Sequence, residues 1–372
     1  MAELDTQSKL QQIRRRVPWT TIKPTLQRLG LPLGHGWDGT IQNIMEFFRQ
    51  EPSKEPQCMS AIVRHYKEHL YCGEKTVRFF ALSPFDCTTI FNALKKLSIP
   101  ESLFSDNYPF AVPNDQIEDL VDTIELVNTE VNSSAIKMLF CSVRNYEEVV
   151  TLDIRDLHDN VVSEYGLSDQ AEITIKRNRV RQFFDAAVVN LANNTIELRI
   201  DWGAGMNQKD ASKAIAALRK KVRDLIGEIT VLSPEMNVPI DLFPLIPSIY
   251  KNNQIGRVCE LGFTVNSGSV KQEKMRRHTT DIRTEEFHKA GHDAVEGQVS
   301  PYRLAVSWDE QSGEPSITKP ELDLKGTLAH LSNPNKGLWD ANILNCYSEK
   351  EFNFIVDVMF KSLSRNEEQS VG

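Results

Sequence analysis

The clearest pattern of apolar and polar positions lies between residues 182 and 227. From Thr195 to Trp202 apolar and polar side chains alternate, which predicts a strand with one buried face. Apolar residues at 184, 186 and 188 predict a partner strand, and Asn193-Asn194 predicts the turn, because asparagine tolerates positive φ. A helix follows from Asp210, a candidate N-cap, to Gly227, a candidate C-terminal residue, with an apolar stripe made of Ala211, Ile215, Leu218, Val222 and Leu225.

The first 165 residues alternate helical and strand patterns. Helices are predicted at 10–16, 21–29, 60–70, from Asp38 to Phe48, and from Asp86 to about Leu97. An acidic helix is predicted from Asp115 to Val127, and strands at 76–82, 136–143 and 149–154. This order predicts a mixed α/β domain over residues 1–165 with a helical start, acidic from about residue 101.

The second half carries antiparallel signals. Apolar residues alternate at 259–265 and 302–308, and a strand at 322–324 pairs with the latter through Gln311-Ser312-Gly313. Ser348 and Glu351 form a capping box ahead of a last amphipathic helix. The prediction is an α+β protein of two domains. The second domain, 166–372, is an antiparallel sheet backed by helices, with the central hairpin and helix and a long basic loop at 269–298.

Composition and charge narrow the class of protein. The 372 residues are 40% hydrophobic and 25% charged, with no apolar run near the ~20 residues of a membrane span. The start is polar, and six irregularly spaced cysteines are typical of buried thiols, so we expect a cytoplasmic protein without a membrane partner. The net charge of −8 is uneven, since residues 101–170 hold fifteen acidic and three basic residues, a net of −12, whereas the first fifty residues and 176–289 are net basic.

Two sets of basic residues are candidates for binding. Guanidinium and ammonium groups at high density suit phosphate oxygens and bind them in a salt-dependent way. One set lies in the predicted loop 269–298 and consists of Lys271, Lys274, Arg276, Arg277 and Arg283. The other lies on the central hairpin and helix and consists of Lys176, Arg177, Arg179, Arg181, Arg219, Lys220 and Arg223.

These sets predict a binding or regulatory protein. Its partner would be nucleic acid or an acidic protein on a basic C-terminal surface, with the acidic N-terminal half as an intramolecular competitor. Ordinary solvated faces are the alternative interpretation of both basic sets. An N-terminal helical hairpin with Trp19, Trp37 and Phe47 suggests a third role, as a partner-binding subunit of a larger assembly.

One enzymatic alternative comes from Asp309 and the run Asp323-Leu324-Lys325. Their spacing resembles that of restriction-type nucleases, in which carboxylates hold Mg²⁺ and a lysine helps to activate water. Pro320-Glu321 shifts a further carboxylate out of frame, and no other catalytic motif is present. Magnesium is therefore expected only under this alternative, and no other cofactor is firmly implied.

A metal site is a further alternative, formed by His65, His69 and Cys72, with Cys58 nearby in sequence. The histidines lie four residues apart on a predicted helix and could face one metal ion, although the spacing is not a standard zinc pattern. Ordinary histidines on the flank of the buried face are the competing interpretation.

Overall fold

The computed structural model describes residues 4–152, 163–164, 166, 173–201, 208–232, 236–276, 279–295, 298–311, 314–333 and 335–371. The helices are α1 (Thr6–Arg14), α2 (Trp19–Arg28), α3 (Gly36–Gln50), α4 (Glu55–Cys72), α5 (Pro84–Leu94), α6 (Leu103–Asn107), α7 (Gln208–Ile229), α8 (Leu245–Lys251), α9 (Glu286–Ala294), α10 (Leu328–Ser332) and α11 (Glu349–Val371). The strands are β1 (Lys75–Ala81), β2 (Ile124–Val131), β3 (Ala135–Leu152), β4 (Ile173–Asn190), β5 (Thr195–Asp201), β6 (Arg257–Val265), β7 (Val270–Lys274), β8 (Val299–Ser307), β9 (Glu310–Gln311), β10 (Glu314–Pro315), β11 (Glu321–Leu324) and β12 (Ala341–Leu344).

Ten of these strands form one sheet, in the order β2-β3-β4-β5-β1-β12-β11-β8-β6-β7, with antiparallel neighbours. This sheet and its helices confirm the predicted α+β class. The sheet does not divide at the predicted boundary between residues 165 and 166. β3 and β4 pair across that boundary over their whole length, and β1 lies between β5 and β12.

Helices pack on both faces of the sheet. Consecutive side chains of a strand point to opposite faces, so Phe79 and Phe80 in β1 belong to different cores. The Phe79 side packs against α8 and α11, and further along the sheet against α1 to α4. The Phe80 side packs against α5 and α7 through residues such as Leu218. Among the described helices, none combines the length and apolar character that a membrane span needs.

The central prediction is confirmed, with one change at the end of the helix. β4, β5 and α7 occupy the predicted positions, and Asn194 has the positive φ of 50° expected in the turn. Trp202 lies outside the described residues. Gly227 is not the end of the helix, because α7 continues to Ile229.

Three other predictions are wrong. The acidic helix predicted from Asp115 to Val127 is a 3-10 turn at Glu118–Leu120 followed by strand β2, because pairing of β2 with β3 outweighs a helical spacing of apolar residues. The long loop predicted at 269–298 contains β7, a 3-10 turn at Ile282–Thr284 and α9. The strands predicted separately at 136–143 and 149–154 form the single strand β3, as far as Leu152.

Candidate functional site

A cleft rich in arginine lies where the end of α1 and the loop 111–118 meet the β3–β4 ribbon. Its volume is about 820 Å³, and four arginines line it: Arg15, Arg16, Arg179 and Arg181. A neighbouring pocket of about 260 Å³ shares three of them, namely Arg15, Arg16 and Arg181. We call the two together the arginine cleft. Glu118 is the acidic residue that lines its larger part.

The cleft exists because β4 extends past the strand beside it. Within the described part of the chain, β5 pairs with β4 only from Ala186 to Asn190, so no described strand pairs on that side with the preceding stretch of β4. The chain after α1 attaches to this edge, since Arg16 donates to the Gln182 carbonyl and Arg181 donates to the Arg15 carbonyl at 3.2 Å. α1 itself is held by buried Leu10 and Ile13.

Asp201 organises the positive charges at the floor of the cleft. Its carboxylate accepts from Arg16 Nη1 at 3.0 Å and from Phe184 N–H at 3.2 Å, and it lies 3.5 Å from Lys75 Nζ. Burial alone would raise the pKa of Asp201. The charges of Lys75, Arg16 and Arg181 outweigh burial and hold that pKa well below its ordinary value.

The cations of the cleft outnumber its carboxylates. Burial lowers the pKa of Arg181, and the positive charge of Arg16 lowers it further. Repulsion between two guanidinium groups of this kind is relieved when an anion binds between them. The Arg15 side chain is exposed and has no hydrogen-bond or ion-pair partner among the described residues. The cleft is therefore chemically suited to an anion.

The structure places most of the predicted hairpin and helix cations, but not Lys176, on one side of the sheet. The side chains of Arg177, Arg179 and Arg181 lie on the same face of β4 as Phe183, because the four residues are spaced two apart. α7 packs on this face of the sheet. Lys176 points to the other face and pairs with Glu147 at 3.4 Å. On α7, Lys220 is exposed and Arg223 is half-buried, while Arg219 donates to the Met236 carbonyl at 3.2 Å.

The second predicted basic set is not part of this surface. Lys271 and Lys274 lie on β7, seven strands from β4 in the sheet order, which corresponds to about 34 Å at the usual spacing of strands. Lys274 pairs with Glu260 at 3.1 Å, and Arg276 is exposed. Arg277 lies outside the described residues. The two sets therefore do not form the single basic surface that the sequence suggests.

Arg283 has a structural position rather than a surface one. Its side chain is 4% exposed and forms an ion pair with Asp281 at 2.6 Å. The guanidinium also donates to four backbone carbonyls, those of residues 249, 252, 255 and 256. Because its donors point inward, Arg283 is not placed to contact a partner.

The two carboxylates of the nuclease alternative do not meet. Asp323 pairs with Ala305 of β8 and lies 3.3 Å from Lys325, whereas Asp309 binds Arg257 at 3.1 Å and Lys319 at 2.9 Å. Asp309 follows Ala305 by four residues, or about 13 Å along an extended chain, too far for both carboxylates to hold one Mg²⁺ ion. The carboxylate on the same face as Asp323 is Glu321, whose pKa is raised by burial and by Asp323.

The predicted metal ligands lie inside the protein. His65 and His69 are 6% and 5% exposed on α4, and burial lowers the pKa of each, to about 4 and about 3. The Cys72 thiol donates to the Glu68 carbonyl at 3.3 Å. Within the described part of the chain, no three His, Cys, Asp or Glu side chains are grouped closely enough to hold a metal ion.

The aromatic residues proposed for assembly belong to the N-terminal core. Trp37 is buried and donates to the Val17 carbonyl at 3.0 Å, with the Trp19 ring packed edge-on against it at 5.9 Å. Phe47 is partly buried against the same core. These rings stabilise the helical hairpin and present little free surface.

Sequence reasoning missed Arg15, Arg16, Lys75 and Asp201 as members of a site. The helix predicted at 10–16 includes Arg15 and Arg16, but the contact of Arg16 with β4 joins residues more than 160 positions apart. The comparison with protein-family models and the search of curated proteins found no match to this chain.

Proposed function

We propose that this protein binds nucleic acid through the arginine cleft and the adjacent arginines of β4. The observation that carries the proposal is the convergence of Arg15, Arg16, Arg179 and Arg181 on one cleft, whose larger part is lined, among the described residues, by one carboxylate, that of Glu118. Arginine suits this role because its planar fork of donors matches phosphate oxygens. The partner in this proposal is a nucleic acid, and the role is binding or regulatory.

Phosphates have two kinds of partner on this surface. Arg15 and Arg179 are exposed at the rim, where their guanidinium groups can reach phosphates. Arg16 is tied to Asp201, and Arg181 to the Arg15 carbonyl, so these two form the positive floor. An exposed rim and a fixed floor favour binding to the charged backbone without reading of sequence.

The proposal has two further elements, of which the first follows from the charges of the cleft. The Glu118 carboxylate would compete with phosphate for the arginines, which gives the acidic N-terminal half its role as an intramolecular competitor. The site of action in this proposal is the cytoplasm. We expect Glu118→Gln to tighten binding, because it removes a negative charge from the cleft.

The test is binding of labelled single-stranded and duplex DNA and RNA, measured by fluorescence anisotropy at about 50 and about 200 mM salt. The variant is Arg15→Ala/Arg179→Ala, and its matched control is Lys271→Ala/Arg276→Ala at the opposite edge of the sheet. The cleft variant should bind more weakly, with a salt dependence reduced by about 1.4 to 1.8 in log–log slope for two lost phosphate contacts. The control should bind like the wild-type protein.

Two outcomes would count against the proposal. One is the absence of binding to every nucleic acid at the lower salt concentration. The other is an equal loss of binding in the cleft variant and the control, because this would mean that the cations act without regard to position.

A further inference from the structure

We infer that the arginine cleft takes one or two unpaired nucleotides, with a base on the Tyr146 ring and the neighbouring phosphates on the arginines. This inference rests on the proposed function and narrows it to a nucleoside phosphate whose base is free of pairing. The shape of the cleft, the position of one aromatic ring and the polar groups beside it carry the argument.

The shape of the cleft excludes a duplex from its interior. Proteins read duplex DNA by inserting a protruding helix or ribbon into a groove, whereas this site is concave and its cations line it. A volume of about 820 Å³ falls within the range of pockets that enclose a small molecule. A stretch of one or two nucleotides is the part of a nucleic acid that fits this description.

Tyr146 supplies the surface for a base. Its ring lines the cleft and packs edge-on against the buried Phe183 ring, with centroids 6.2 Å apart and planes at 88°. The Arg144 guanidinium lies 4.1 Å from the centroid of the same Phe183 ring. Packing of this kind limits the motion of Tyr146, and a fixed aromatic ring beside a cationic groove is the arrangement that stacks unpaired bases.

The register of the ribbon puts the phosphate partner beside the ring. Tyr146 of β3 is directly opposite Arg179 of β4, and directly opposite residues have Cβ atoms about 5 Å apart. A base on the ring therefore places its own phosphate within reach of Arg179, while Arg181, Arg16 and Arg15 extend the positive track.

Polar side chains at the rim complete the site. The amides of Asn114 and Asn178 line the cleft and are exposed. Each offers both donors and acceptors, so they can meet the edge of an unpaired base, whichever base it is. Because an amide can donate to one base and accept from another, we expect the site to show little preference between bases.

The experiment uses the full-length protein and a labelled single strand of about 12 nucleotides, within the site sizes of such grooves. A duplex of the same sequence and a nucleoside monophosphate serve as competitors. Tyr146→Ala should weaken binding of the single strand by about 5- to 150-fold, which corresponds to the loss of one stacked base. Tyr146→Phe, which keeps the ring, should bind within about two-fold of the wild-type protein.

The salt dependence of binding distinguishes the contribution of base stacking from that of phosphate contacts. Tyr146→Ala should leave the slope of affinity against salt unchanged, because it removes no phosphate contact, whereas Arg15→Ala/Arg179→Ala should reduce that slope. Displacement of the strand by the monophosphate at a concentration similar to that of the strand would identify a free nucleotide as the ligand. Displacement only by strands would identify single-stranded nucleic acid. Both results support the inference.

The inference is overturned if Tyr146→Ala binds the single strand like the wild-type protein, or if the duplex binds as tightly as the single strand. In either case the effect of the arginine variant would still support the proposed nucleic-acid binding. Loss of binding in both Tyr146→Ala and Tyr146→Phe would also overturn the stacking role. The thermal unfolding temperature of each variant shows whether a loss of binding arises from unfolding.

Discussion

His65 and His69 are buried in α4, and we predict that mild acid destabilises the protein through them. Burial lowers the pKa of His65 to about 4 and that of His69 to about 3, against an ordinary value of 6.5. The Arg28 charge contributes to the shift at His65, and the His65 and Lys75 charges contribute at His69. Both rings are therefore neutral in the folded protein at physiological pH.

The sign and size follow from proton linkage. When the pKa of a histidine is lower in the folded state than in the unfolded state, the free energy of unfolding is unaffected above the unfolded pKa. It falls as the pH drops below the unfolded pKa, because only the unfolded chain takes up the proton. At about pH 5 the unfolded chain holds nearly one proton on each histidine and the folded protein holds almost none, which costs about 2 kcal/mol per histidine. The two together should lower the free energy of unfolding by about 4 kcal/mol between about pH 7.5 and 5.

The assay is urea unfolding at the two pH values for the wild-type protein and for His65→Gln and His69→Gln. Each variant should show a pH-dependent loss of stability that is smaller than the wild-type loss by about 2 kcal/mol. The matched control is His35→Gln, which changes an exposed histidine and should keep the wild-type pH dependence. The reasoning is refuted if both buried-site variants lose as much stability in acid as the wild-type protein does.

Three further predictions concern a buried arginine, two glycines and the six cysteines. Arg283→Lys should lower the free energy of unfolding by about 3 kcal/mol, because lysine cannot replace the guanidinium group that binds Asp281 and four backbone carbonyls. The control Arg276→Lys should be neutral. Thermal melts test this, and equal melting temperatures for the two variants would contradict it. Gly227→Ala should raise the free energy of unfolding by about 0.5–1 kcal/mol, because Gly227 lies inside α7 with open space around it. Gly326→Ala should lower the free energy of unfolding, because its Cβ would lie 1.9 Å from the Tyr302 carbonyl oxygen. The opposite order of stability for the two variants would be inconsistent with this packing. The six thiols should react with a thiol reagent far more slowly in the folded protein than in denaturant. Five of the cysteines are buried, and burial raises the pKa of the remaining one, Cys259, to about 12. Rapid reaction of the folded protein would disprove this prediction.

The parts of the fold that the sequence predicts well are those governed by local pattern. The hairpin of β4 and β5 has both a strict alternation and a turn that favours asparagine, so neighbouring residues suffice to define it. The helix predicted at 115–127 is wrong because the local pattern is misleading there. Its apolar residues have a helical spacing, but the structure of this segment depends on the pairing of β2 with β3. The apolar residues are Ile117, Leu120, Val121 and Ile124. Contacts between distant segments decide such cases, and one sequence does not encode them in a readable way.

The site follows the same rule. Arg179 and Arg181 were identified from the density of basic residues along β4, which is a local property. The contribution of Arg15 and Arg16 depends on where α1 lies against β4, and the role of Asp201 depends on Lys75 from a strand that precedes it by more than 120 residues. Charge counts along the chain also suggested Arg283, although its surroundings place it in the interior.

The position of β1 in the middle of the sheet has a consequence for the synthesis and division of this chain. β1 leaves the ribosome long before its two neighbours, β5 and β12, and it has no neighbouring strand to pair with until β5 has been made. A fragment that starts after residue 165 would have a strand-sized gap between β5 and β12, bordered by unpaired backbone groups and apolar side chains. We therefore expect that two separately expressed halves, cut in the segment between β3 and β4, are each insoluble alone and recover a folded protein when produced in the same cell.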